Sequence, residues 1–191
     1  MTGACDLIVP CTVAVSPGRW YTAMLQYKWS GQWTKYGPVL ASVLWAWLDE
    51  HWVDLANSLG GSPTLVTVVP SRSDPMPTPL YRIAKAQPTL KGLLSAAISY
   101  DSSAVKGEWK QKSLEPDAFN VSSEVAGERM LLLEDTWVTG STPLSAAIAA
   151  RRAGVASLAL MPIARMAYKD DMTEPYRLAA SAPVDFSSFP R

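Results

Sequence analysis

Glu134 and Asp135 directly follow four apolar residues, Met130, Leu131, Leu132 and Leu133, and Thr139, Gly140, Ser141 and Thr142 come a few positions later. Two adjacent carboxylates inside a sheet would cost several kcal/mol unless paired, so they are expected at the exposed carboxyl end of a strand. A glycine among three hydroxyl residues, just before a helix, is suited to a phosphate: loop N–H groups and the positive end of the helix dipole converge there. Thr142 reads as the N-cap and Pro143 as the first helical residue. Acids for sugar hydroxyls beside a cradle for phosphate would together hold a sugar phosphate.

The elements that must position these groups follow from the apolar pattern. Residues 130–133 and 155–161 are apolar runs, the second ending at Pro162, and a helical segment to residue 153 lies between them. This is a βαβ unit with an expected right-handed crossover. Gly154 is placed to end the helix, and Arg151 and Arg152 complement its negative end. In open parallel sheets the carboxyl ends of the strands face the ligand crevice, where the two acids would lie.

Upstream, residues 7–15 predict a strand running into the turn at Ser16, Pro17 and Gly18, and residues 20–27 a short helix. Residues 39–59 carry apolar side chains at helical spacing, with Gly60 and Gly61 as the stop. Residues 64–69 are almost all β-branched or apolar, as in a strand buried on both faces, and stop at Pro70. Residues 71–78 read as loop, 80–97 as a helix with Pro88 at a break or first turn, and 99–116 as a mobile polar loop. The proline- and serine-rich segment from residue 175 reads as a draped or fraying tail.

The 191 residues fit one domain, and 17 basic against 17 acidic side chains give no net field for nucleic acid or an anionic membrane. The longest apolar stretch, residues 39–48, is too short to span a bilayer, so a soluble cytoplasmic protein is expected. Cys5 and Cys11, with His51 far off in sequence, cannot make a four-ligand zinc site and read as buried thiols. His51 itself reads as a surface histidine. Trp45, Trp47 and Trp52 fall on one expected helix as core or interface anchors.

Residues 130–142 resemble the phosphoribosyl pyrophosphate (PRPP) signature of type I phosphoribosyltransferases: four apolar residues, two acids, then a loop ending in Thr-Gly-x-Thr. Within that family, Ala118, Phe119, Asn120 and Val121, then Val125, Ala126 and Gly127, are similar to ComF-like proteins. Residues 25–31 look like the ComF Leu-Lys-Tyr-x-Gly segment, and Val68, Val69 and Pro70 like the strand entering the pyrophosphate loop. The chain departs from the pattern in lacking the cysteine-rich N-terminal zinc module. It also has Thr136 and Trp137 where aliphatic residues are usual, and Val138 where purine-salvage members have an aspartate base.

The resemblance implies an α/β fold of the type I phosphoribosyltransferase kind over residues 1–191, a mostly parallel central sheet flanked by helices, with a small hood from about 1–20 and 163–191. It implies Glu134 and Asp135 on the ribose hydroxyls, residues Val138, Thr139, Gly140, Ser141 and Thr142 on the 5′-phosphate, and Ser71 and Arg72 either on the pyrophosphate or in a solvated loop. Lys106, Lys110 and Lys112 are either a cationic lid or an ordinary charged surface. Trp137 either packs beneath the ribose or narrows the base site, or fills volume beside the sheet. No direct metal ligand is expected; Mg²⁺ would come with PRPP, near Glu134 and Asp135. The implied activity is transfer of ribose 5-phosphate from PRPP to a small nitrogenous acceptor with release of pyrophosphate, and the implied assembly is a homodimer. The alternatives are a non-catalytic PRPP- or nucleotide-binding regulator, or a ComF-like protein associated with DNA uptake.

Overall fold

The structure is a computed structural model that describes residues 3–29, 33–71, 77–104 and 113–168. The chain is α/β, with a parallel central sheet flanked by helices. Strands β1 (Leu7–Ile8), β2 (Thr12–Ser16), β3 (Leu65–Val68), β6 (Arg129–Trp137) and β7 (Ser157–Tyr168) form this sheet. Its order is β1-β7-β6-β3, with β2 also on β7, and every pairing is parallel. Helices α1 (Arg19–Trp29), α2 (Trp33–Ser58) and α3 (Pro79–Lys85) precede or follow β3, and α4 (Ser141–Arg152) links β6 to β7. A separate antiparallel pair, β4 (Ile98–Tyr100) and β5 (Phe119–Val121), packs near α4.

Alternation along β6 and β7 divides the core in two. Leu131, Leu133, Ala159, Met161 and Ile163 face a cluster containing Leu40, Leu44 and Leu48 of α2, whereas Met130, Leu132, Leu158 and Leu160 face Ala146, Ala147 and Ala150 of α4. Period-two burial on both faces is what central parallel strands require, and it explains their unbroken apolar sequence. Trp47 and Trp52 of α2 pack against the first cluster. Trp45 is half-buried.

Several boundaries differ from the sequence expectation. The strand expected over 7–15 is divided at Pro10, but β1 and β2 keep one register on β7, so Pro10 lies opposite Pro162. Val9 donates to Leu160 (3.0 Å) and Cys11 to Pro162 (2.8 Å), so the chain stays alongside. Pro162 has no N–H to give toward this edge, and the break between β1 and β2 falls where that bond is missing. Having its other edge intact, β7 does not stop at Pro162 but runs to Tyr168.

Residues 80–97 do not make one helix: α3 ends at Lys85, because Gln87 precedes Pro88 and is pushed out of the helical region (ψ 122°). Gln87 is buried and donates to the Ala41 carbonyl (3.1 Å), tying this turn to α2. Helix α2 begins before the expected residue 39 and carries Pro38 inside it. The loop expected over 99–116 begins within β4, and residues 105–112 lie outside the described residues. Of the segments assigned to a hood, β1 and β2 lie on the edge of the main sheet, as does 163–168 of β7, and residues 169–191 are outside the described residues.

Among the described residues, no helix is long and apolar enough to cross a membrane.

Candidate functional site

Strand β3 pairs with β6 only as far as Val68 opposite Leu133, with Val69 N–H bonded to the Leu133 carbonyl at 2.8 Å, while β6 continues to Trp137 beside β7. The step between a short strand and a long one opens a cleft of about 330 Å³ at the carboxyl end of the sheet. Its walls are residues 68–71 after β3, residues 78–80 at the start of α3, residues 134–136 of β6, the loop and first turn at 138–143, and Tyr27 of α1.

Glu134 and Asp135 both line this cleft, toward the carboxyl end of β6 as expected, but the end is not exposed as expected at Glu134, which is only 8 % exposed. Pairing with β7 continues past them, Glu134 opposite Pro162, which carries the strand onward. The side chains are braced locally. Glu134 Oε1 accepts from the Asp135 N–H (3.1 Å), and Asp135 Oδ1 accepts from Thr136 Oγ1 (3.0 Å). Carboxylates held by charge-assisted hydrogen bonds at a strand end are acceptors set in place for hydroxyl groups.

Gly140, not Thr142, is the N-cap of α4. It adopts φ +79°, a left-handed conformation natural to glycine, and this turns the chain from β6 into the helix. Ser141 and Thr142 then lie in the first turn with Pro143, where a missing proline N–H leaves no helical bond unmade. Thr139 Oγ1 and Ser141 Oγ are 3.2 Å apart across the loop. Val138, Thr139, Gly140, Ser141 and Thr142 all border the cleft, so the backbone and hydroxyl groups expected to hold a phosphate converge on the space that Glu134 and Asp135 enter.

Trp137 does not border this space. Its indole covers Gly140 from the α4 side of the sheet, where it packs on the second core cluster. Of its expected roles, filling volume beside the sheet is the one its packing matches. Val138 is 65 % exposed and presents an isopropyl group at the edge of the cleft.

Ser71 lies on the cleft wall, but Arg72 is outside the described residues, as are Lys106, Lys110 and Lys112. The chain returning from the lysine segment is tied to α4: Glu115 N–H donates to Ser145 Oγ (2.9 Å), and Ser145 Oγ donates to the Ser141 carbonyl (2.6 Å). His51 is apart from the cleft, half-exposed beside Glu50 (3.8 Å) and against the Trp47 ring (4.9 Å between centroids). Cys5 and Cys11 are half-buried free thiols.

Tyr27 is the residue that sequence reasoning did not assign to the site. Tyr27 is 4 % exposed, and burial first, then the negative charges of Asp135 and Glu134, push the pKa of its phenol well above the usual tyrosine range. The one signal was its place in the segment similar to the ComF Leu-Lys-Tyr-x-Gly motif, of which residues 30–31 are outside the described residues.

Among the described residues no three His, Cys, Asp or Glu side chains come together as a metal site. The two carboxylates are hard oxygen donors of the kind Mg²⁺ prefers. Comparison of the chain with protein-family models gives no match, and neither does comparison with curated proteins.

Proposed function

We propose that the chain has the type I phosphoribosyltransferase fold and that its cleft binds PRPP, transferring ribose 5-phosphate to a nitrogenous base with release of pyrophosphate. The observation that carries this reading is the convergence of Glu134 and Asp135 with the 138–142 loop on one cleft at the carboxyl end of a parallel sheet. That spacing suits a ligand with hydroxyls at one end and a phosphate at the other. The motif resemblance over residues 130–142 selects PRPP among such ligands.

In this mechanism a ring nitrogen of the acceptor displaces pyrophosphate from C1 of the ribose, through a transition state with positive charge on the sugar ring. Glu134 and Asp135 accept hydrogen bonds from the ribose hydroxyls, fixing the sugar and placing negative charge near the developing cation. The N–H groups at the start of α4 and the hydroxyls of Thr139, Ser141 and Thr142 hold the 5′-phosphate. Mg²⁺, when bound with the substrate, neutralises the leaving pyrophosphate.

A second reading, a non-catalytic PRPP or nucleotide sensor, is favoured by one observation: the exposed Val138 offers no proton acceptor where purine-salvage enzymes carry one. The binding test is calorimetric titration of PRPP with Mg²⁺ into wild type and into the Glu134→Ala, Asp135→Ala double variant. Saturable binding by wild type, lost in the variant, is the expected result. No binding to well-folded wild type sinks the proposal. Pyrophosphate release on adding PRPP and a panel of bases separates enzyme from sensor.

A further inference from the structure

Tyr27 combines burial, an aromatic ring packed in the core and a place on the cleft wall. Its ring belongs to the first core cluster, a task phenylalanine would perform as well. The hydroxyl is the part that needs explaining. It is not one of the fully buried polar atoms left without a partner, and Tyr27 lines the cleft, so the hydroxyl is within reach of a bound ligand. A tyrosine hydroxyl is protonated at neutral pH, so it is a donor.

A donor is what the carboxylate end of this cleft requires. A sugar hydroxyl that donates to Glu134 or Asp135 keeps its own lone pairs, and in a closed site these must be met by an N–H or O–H. Two carboxylates supply only acceptors. The Tyr27 phenol stands on the same wall, near the acids and on α1, a helix that the loop at 138–142 does not belong to.

We infer that Tyr27 is a ligand-binding residue whose hydroxyl donates a hydrogen bond to a sugar hydroxyl oxygen held by Glu134 and Asp135, so that the cleft selects a hydroxylated sugar phosphate over a bare phosphate. This rests on the sugar-phosphate reading of the cleft. It extends that reading to a third contact, outside the motif of residues 130–142, and to the basis of selectivity.

The experiment compares wild type with Tyr27→Phe, titrating ribose 5-phosphate, PRPP with Mg²⁺ and inorganic phosphate separately, with thermal melting of the ligand-free proteins alongside. Loss of one neutral hydrogen bond predicts affinity for ribose 5-phosphate and PRPP weakened about 3- to 10-fold, with inorganic phosphate unchanged. The ligand-free variant should melt within about 2 °C of wild type, because phenylalanine keeps the ring in the core cluster. Wild-type and variant affinities equal for all three ligands overturn the Tyr27 inference and leave the PRPP site standing. Equal weakening for inorganic phosphate, or a collapse of the variant's melting temperature, also overturns it by making the hydroxyl structural. Failure of wild type to bind either sugar phosphate overturns both this inference and the reading beneath it.

Discussion

Replacing Gly140 with alanine puts a methyl group where the structure has none to spare. A Cβ built on Gly140 meets Trp137 Cζ2 at 2.3 Å, Cε2 at 2.6 Å and Cη2 at 2.9 Å. The indole is anchored against the second core cluster, so it cannot swing aside freely. An L-residue at φ +79° adds about 1–2 kcal/mol of backbone strain. Forcing the methyl against the packed ring adds about 1–3 kcal/mol. The sum, about 2–5 kcal/mol, is a large part of the stability of an ordinary domain and corresponds to a fall in melting temperature of about 10 °C for a chain of this size.

Urea denaturation of Gly140→Ala, Trp137→Ala and the double variant separates the two contributions. If the collision is real, the double variant costs less than the two singles together, with a coupling of about 1–3 kcal/mol. Gly140→Ala should also weaken phosphate binding, since the methyl displaces the loop that would hold it. A single-variant cost below about 0.5 kcal/mol, or additivity of the two substitutions within that margin, would refute the placement of the indole over the glycine.

Other consequences can be measured on the same protein. Ser145→Ala leaves the Glu115 N–H without its acceptor in a place where Ser145 is fully buried, and should cost about 1–3 kcal/mol, with faster hydrogen exchange at the Glu115 amide; unchanged exchange there would contradict the contact. Burial pushes the Cys11 thiol from 9.0 up to about 12. The unfolded chain therefore releases this proton in a range where the folded one keeps it, so the contribution is intact below pH 9 and is lost as pH rises from 9 toward 12, at no more than about 1.4 kcal/mol per pH unit. Stability curves of wild type and Cys11→Ala should run parallel below pH 9, with wild type losing stability relative to the variant as pH rises above 9; curves that stay parallel through about pH 11 would show that the thiol is not shielded.

The local chemistry of the site was legible because each piece depends on near neighbours. Four apolar residues before two acids marked β6, and Gly140 among hydroxyl residues marked the turn into α4, with Gly154 (φ +95°) closing that helix. The two-faced burial of residues 130–133 and 158–161 followed from their lack of polar alternation. Proline was the less readable signal. Pro88 ended a helix that apolar spacing alone would have continued, whereas Pro162 did not end a strand, because its missing N–H falls at an edge where Pro10 already interrupts the pairing.

What the sequence by itself determined was the βαβ unit carrying the acids and the phosphate-type loop, since period and capping are properties of consecutive residues. Only the tertiary structure decided which distant groups join them. The cleft exists because β3 stops opposite Leu133 while β6 runs on, a difference in strand length visible only once the two are paired. Tyr27 reaches the cleft wall from α1, which packs on α2 and β2, and Trp137 is withheld from the cleft because its indole packs on the second core cluster. Those placements depend on the packing of elements separated by up to a hundred residues in the chain, which no local pattern of side chains can specify.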